Sequence, residues 1–121
     1  MAAIRRMKRG DIVTIAVAGD FGKPRPAIIV QNDVLVGIDT VLVAMLTTHD
    51  HQVLTFRLRL EPTERNGLKT RSIVMLDKIM VVWRVKCGPV IGSLTESELA
   101  DIDQILPFVF GLTLTSAEAA R

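Results

Sequence analysis

A single cysteine, Cys87, stands in a chain of 121 residues, so an intrachain disulfide is impossible and a secreted disulfide scaffold is excluded. The lone thiol fits a reducing compartment. The two histidines, His49 and His51, share one polar segment, and no His/Cys cluster supplies a structural metal site. Long apolar runs are missing too. Stretches such as 41–46 and 79–83 fall far short of the ~20 residues that span a bilayer, so no transmembrane helix is expected. Residues 1–9 carry Arg5, Arg6, Lys8 and Arg9 where a signal peptide requires an apolar segment, and the expected location is cytoplasmic. Internal repeats and low-complexity segments are absent. The segment 19–23 is not a Walker A loop, because it lacks both the spacing and the following Ser/Thr.

What is present is ordinary for one compact domain over 1–121, with a core at about 7–112 and a polar tail over 113–121. Hydrophobic residues make up 49% and charged residues 23%, which is too apolar for intrinsic disorder. Net charge is only +2, but it is unevenly spread. Residues 1–92 hold 14 basic and 8 acidic side chains, a net +6, and residues 93–121 hold 1 and 5, a net −4. A basic working surface with an acidic C-terminal element elsewhere makes nucleic acid a candidate partner, although a basic balance is also common among small soluble proteins.

Strand signals fill the first two thirds. Residues 11–17, 27–30 and 41–46 are β-branched or aliphatic runs. Leu54, Phe56, Leu58 and Leu60 alternate with Thr55, Arg57 and Arg59, which predicts a half-buried antiparallel strand with two arginines on its outer face. Runs at 72–76 and 79–85 are separated by Asp77-Lys78, a pair suited to a tight connection or a bulge. Gly19, Gly22, Pro24 and Pro26 punctuate one connection, and 61–67 another. After Gly88-Pro89 and Gly92 a helix is expected from Thr95, where Glu98 completes a capping box. Leu99, Ile102, Ile105, Leu106 and Val109 form its apolar stripe, with a kink or restart at Pro107 and an end at Gly111. Five or six short strands and one helix imply a strongly curved antiparallel sheet or open barrel closed by the C-terminal helix.

Several segments could hold chemistry. Lys23 and Arg25 sit on a glycine-softened, proline-stiffened connection, either as a phosphate grip or as a solvated hairpin tip. Arginine suits the former because its planar fork matches phosphate oxygens and stabilises a pentacoordinate phosphoryl transition state. Thr47, Thr48, His49, Asp50 and His51 follow an apolar strand, where a hydroxyl can donate to a phosphate oxygen. The histidines read as proton carriers, two metal ligands lacking a third, or solvated side chains. Asp77 either orients an arginine or a proton carrier, or only shapes the bulge. Cys87 beside Lys86 has no evident His partner for a nucleophile's role, and Trp83 reads as a core or interface residue.

These pieces together resemble the MazF/PemK/Kid family of toxin endoribonucleases over about residues 7–112. The resemblance is carried by Lys8-Arg9-Gly10-Asp11-Ile12-Val13, Arg25-Pro26-Ala27-Ile28-Ile29-Val30-Gln31-Asn32-Asp33, Leu46-Thr47-Thr48, Ser72-Ile73-Val74-Met75-Leu76-Asp77, and Gly92-Ser93-Leu94 leading into Glu98-Leu99. It implies an SH3-like barrel with a C-terminal helix, a homodimer, metal-independent and cofactor-free cleavage of single-stranded RNA such as mRNA, and neutralisation by a cognate antitoxin. By position, Arg25 matches the family's catalytic arginine and Thr47 its catalytic threonine, with Thr48 the neighbouring choice. Asp20 and Asp77 fall at acidic positions that some relatives use. Met75 stands where some relatives have an arginine, and Lys78 replaces a common glutamine.

The implied chemistry is attack of a ribose 2′-OH on the adjacent phosphorus, which displaces the 5′-oxygen and leaves a 2′,3′-cyclic phosphate, so DNA is not a substrate. Arg25 stabilises the phosphorane, Thr47 donates to a nonbridging oxygen, and His49 is an optional proton carrier. Lys23, Arg84 and Lys86 are expected phosphate contacts, Asn32 a base reader and Phe21 a stacking aromatic. The alternatives are a gyrase-poisoning toxin of the CcdB type and a non-catalytic SH3-like binding module, which Met75 keeps open.

Overall fold

The structure is a computed structural model and describes residues 7–16, 23–49 and 56–112. Asp20, Phe21, His51 and Leu54 therefore lie outside the described residues. The elements are β1 (Asp11–Ala16), β2 (Pro24–Ile29), β3 (Thr40–Thr47), β4 (Arg57–Leu60), β5 (Ser72–Trp83), a 3-10 turn Arg84–Lys86, β6 (Cys87–Ser93) and α1 (Glu96–Val109). The strands form one sheet in the order β4-β5-β3-β2-β1-β6, and every pairing is antiparallel. The expected class, mainly antiparallel β with a C-terminal helix, is what the chain adopts.

The continuous aliphatic runs of the central strands have a direct reason: both faces of the sheet are covered by apolar side chains. On one face Ile12, Ile28, Ala44, Leu46 and Val74 join Leu94 and Ile102 of the C-terminal region. On the other, Val13, Ile15, Ala27, Ile29, Val43 and Met45 form a second cluster. Within β1 the chain alternates between the two, with Ile12 in the first and Val13 and Ile15 in the second.

The helix follows its sequence signals closely at its start. Thr95 Oγ1 accepts the Glu98 N–H at 3.1 Å, and Glu98 Oε1 accepts the Thr95 N–H at 2.8 Å, closing the capping box. Ile102 is fully buried, while Leu99, Ile105, Leu106 and Val109 pack against the first cluster. Pro107 produces neither the break nor the restart that its ring suggests. It lies two residues before the helix end, so the one backbone bond it removes is in the last turn, and α1 runs unbroken to Val109. Gly111 then takes φ +72°, the left-handed conformation that ends helices, and the Leu112 N–H returns to the Pro107 carbonyl.

Two strand expectations change. The runs at 72–76 and 79–85 are one strand, β5, and residues 84–86 leave it as a 3-10 turn. Between the pairs Ala44↔Ile79 and Leu46↔Val74, β3 advances two residues while β5 advances five. The excess at 75–78 bulges out, leaving Asp77 and Lys78 exposed. Residues 87–93, which the sequence pattern assigns to no strand, form edge strand β6 against β1. A Cβ on Gly92 would lie 2.3 Å from the Asn66 backbone, and one on Gly88 would lie 2.3 Å from Thr14 Oγ1. These glycines mark close approach rather than a turn, Gly88 to β1 and Gly92 to the 61–67 loop, and Pro89 is tolerated because the strand is at the edge. Buried Asn66 holds the opposing loop. Its side chain accepts the N–H groups of Thr63 and Leu68 and donates to the Glu61 carbonyl.

Candidate functional site

The start of β2 is built by its two prolines. Neither has an N–H to give to a ladder, and β2 pairs with β3 only from Ala27↔Met45 onward. Residues 24–26 have β1 alone as partner, through Ala16↔Pro24, Ile15↔Arg25 and Thr14↔Pro26. Carrying the β2–β3 register two residues past Ala27↔Met45 sets Arg25 opposite Thr47. Side-chain alternation places Arg25 with Ala27 and Ile29, and Thr47 with Met45 and Val43, so both candidates project from the face of the second cluster. Arg25 is exposed and Thr47 half-buried.

Thr47 Oγ1 accepts the His49 N–H at 3.1 Å. That bond fixes the oxygen while leaving the hydroxyl proton to donate, as a phosphate oxygen requires. Thr48 lies beyond the strand and lines a shallow concavity of about 370 Å³ with Thr70, Arg71 and Ile73. Thr47 pairs with Ile73, so this concavity adjoins it. His49 is exposed beside them, and Lys23 is exposed immediately before β2.

The same face extends to the sheet edge. Ile73 pairs with both Thr47 and Arg59, and Met75 pairs with Arg57, so the arginines that alternation turns away from Leu58 and Leu60 lie on the face of Thr47, Arg59 in its row. Arg57 grips Asp77 with both ends of its fork, Nε to Oδ1 and Nη2 to Oδ2, each at 3.0 Å. The hydrogen bonds from Arg57 hold the Asp77 carboxyl below its ordinary value, against the opposing effect of partial burial, so Asp77 stays a carboxylate.

The other expected contacts gather elsewhere. Asn32 and Arg84 line a cleft of about 440 Å³ with Lys8, Gln31, Leu35 and Val41. Gln31 follows β2, six residues from Arg25, which is roughly 20 Å along an extended strand. Asn32 Oδ1 accepts the Val34 N–H, and Arg84 Nε donates to the Ile38 carbonyl, so both side chains brace the 32–39 loop. In the floor of this cleft the Oε1 of buried Gln31 accepts the Leu42 N–H, and its Nε2 has no hydrogen-bond partner among the described residues. Lys86 is exposed on the 3-10 turn.

Burial pushes the Cys87 thiol above its ordinary value, with Arg84 opposing weakly, so the neighbouring cations do not activate it. Trp83 is 56% exposed and is no core residue. Among the described residues no three His, Cys, Asp or Glu side chains converge as metal ligands. Sequence reasoning did not place Arg57 and Arg59 on the face of Arg25 and Thr47. The alternation in β4 showed them facing outward, but only the sheet order shows what they face.

Comparison with known proteins agrees with this architecture. The chain is 38% identical over 107 residues to a probable endoribonuclease MazF of Mycolicibacterium smegmatis, covering 88% of this chain and 98% of the relative. An endoribonuclease from a mycobacterial species, solved in complex with its cognate antitoxin, superposes with a TM-score of 0.76 at 21% identity, over 91% of this chain and all of the other. The Mycobacterium tuberculosis toxin MazF-mt6 superposes with a TM-score of 0.73 at 24% identity, over 86% and 99% of the two chains. Residues 8–110, which include the whole sheet, the helix and the Arg25–Thr47 face, match the PemK-like, MazF-like toxins of type II toxin-antitoxin systems, and the chain belongs to that family.

Proposed function

We propose that this toxin is a metal-independent endoribonuclease that cuts single-stranded RNA, mRNA included, through Arg25 and Thr47. The observation that carries the reading is the β2–β3 register, which ends at Ala27↔Met45 and, continued two residues, sets Arg25 opposite Thr47 on a face lined by further arginines. The family match favours this activity over the gyrase-poisoning and non-catalytic alternatives.

In the reaction the ribose 2′-oxygen forms a bond to phosphorus as the bond to the 5′-oxygen breaks. The 2′-proton is lost and a proton is delivered to the departing oxygen, giving a 2′,3′-cyclic phosphate and a 5′-hydroxyl. Arg25 opposes the charge that grows on the phosphorane oxygens, and the Thr47 hydroxyl donates to one of them. Thr48 and His49 are at hand beside Thr47, His49 as a proton carrier. Lys23 and Lys86 supply exposed positive charge for the RNA backbone, and Asn32 and Arg84 form a second contact region at the 440 Å³ cleft.

The toxin acts in the cytoplasm as a homodimer restrained by a cognate antitoxin. Support for self-association comes from the distal halves of β3 and β5, where Leu42 pairs with Val81 and Trp83 lies on the same side of β5, all of them solvent-exposed. Incubating purified toxin with mixed transcripts in EDTA and mapping the new 5′ ends tests the activity. Defined 5′-hydroxyl ends are expected from the wild type and none from Arg25→Ala. Intact transcripts with the wild type overturn the ribonuclease reading, and cleavage by Arg25→Ala removes Arg25 from it.

A further inference from the structure

We propose that Arg57 is a second phosphate-binding arginine of the Arg25–Thr47 face, and that Asp77 is its positioning residue rather than an RNA contact. This deepens the endoribonuclease reading and rests on it. Arg57 lies directly across from Met75, whose thioether carries no charge, and Met75 packs in the second cluster with Ala27 and Met45. One row along, Arg59 pairs with Ile73, and Ile73 pairs with Thr47. Arg25 on β2, Thr47 on β3, Ile73 on β5 and Arg59 on β4 thus follow one another in a row across one face, with Arg57 two residues along β4 from Arg59. Three inter-strand spacings separate the outer strands, about 14 Å, which a few nucleotides of single strand can cross.

The ion pair has the form of an anchored donor. Both Asp77 oxygens are taken by Arg57, which commits two of the five guanidinium N–H bonds and, among the described residues, leaves three. The two side chains retain 19% and 29% of their exposure, so the guanidinium is held without being sealed from solvent. An unpaired carboxylate on this face would repel a phosphate. Paired, it locks the planar fork in one orientation, so less conformational entropy is lost when a phosphate arrives. The five-for-two bulge in β5 is what delivers Asp77 to this position, on the same side as Met75 and diagonal to Arg57.

The test measures binding and turnover separately. Binding uses a random-sequence 12-mer of 2′-O-methyl RNA, which lacks the attacking hydroxyl and needs no knowledge of the cleavage motif. Arg57→Met is expected to bind it about tenfold more weakly, with a salt dependence shallower by about 0.7 in log–log slope, the value for one lost phosphate contact on a single strand. On a transcript the wild type cuts, Asp77→Asn is expected to lower kcat about tenfold in the wild-type background and to have no effect in Arg57→Met. An unchanged affinity and slope for Arg57→Met overturn the phosphate contact. An Asp77→Asn effect that persists at full size in Arg57→Met overturns the positioning role. Should Arg57→Met fail to fold, Arg57→Lys carries the test: it keeps the charge but not the fork, and an unchanged kcat overturns the proposal. Loss of Arg25's role in cleavage would be seen in the transcript assay alone, so failure of the parent reading is distinguishable.

Discussion

The two faces of the sheet hold similar apolar clusters at their centres and diverge at their margins. The face under α1 is sealed: Ile12, Ile28 and Ile102 are fully buried, and the helix lays Leu99, Ile105 and Leu106 over the rest. The opposite face is apolar through Val13, Ile29 and Val43 but opens, toward the start of β2 and the end of β3, into Arg25, Thr47, Arg57 and Asp77. Both faces thus bury apolar side chains at their centres, and the candidate chemistry lies at the open margin of one of them. Adjacent residues of one strand, such as Leu46 and Thr47, serve one side each. Groups on such a margin need not be stabilising, because the buried centres of the two faces already hold the strands in register.

The largest blow to this division comes from the sealed side. Ile102→Ala should cost about 2–5 kcal/mol, since the side chain is wholly enclosed and the sheet beneath cannot collapse to fill the space. Urea unfolding should show the loss, while the fraction still folded cuts RNA at the wild-type rate. Replacing Thr47 with Val should do the reverse, lowering turnover roughly 10- to 100-fold through loss of one donor to the transition state. A melting temperature within a few degrees of wild type is expected, and a large drop would show that Thr47 serves the fold as well. At the helix start, Thr95→Ala removes one half of the capping box and should destabilise by about 1 kcal/mol with no effect on cleavage per folded molecule.

The smallest effect concerns Asp77. Its carboxyl titrates below the ordinary 3.8 when folded, so the ion pair contributes stability above that value and loses it as pH falls through the folded one. Compared with Asp77→Asn, the wild type should lose slightly more stability between pH 5 and 2. Parallel unfolding curves for the two proteins over that range would show that the pair contributes nothing to the fold.

How legible these features were depended on how local their causes are. The capping box joins residues three apart, and it formed as read. The alternation of Arg57 and Arg59 with Leu58 and Leu60 also held, because period 2 is a property of the strand itself. Strand β6 was illegible for the opposite reason. Gly88 and Gly92 are required by Thr14 and Asn66, which are 74 and 26 residues away, and nothing nearby distinguishes such glycines from turn glycines. Pro107 misled because a proline's effect depends on how many helical turns follow it. At the candidate site, Arg25 and Thr47 were recognisable one by one, whereas the partner of Asp77 lies 20 residues away on a neighbouring strand.

By itself the amino-acid sequence determined the strand-forming runs, the helix with its cap and apolar stripe, the family resemblance, and the identity of the candidate arginine and threonine. These are written in side-chain chemistry and short-range spacing. Only the tertiary structure decided which strand lies beside which, and hence that Arg57 comes opposite Met75 and that the β2–β3 register, continued past Ala27↔Met45, brings Arg25 toward Thr47. Strand order and register come from burying two apolar faces at once, a condition satisfied by the whole sheet and by no single segment of the chain.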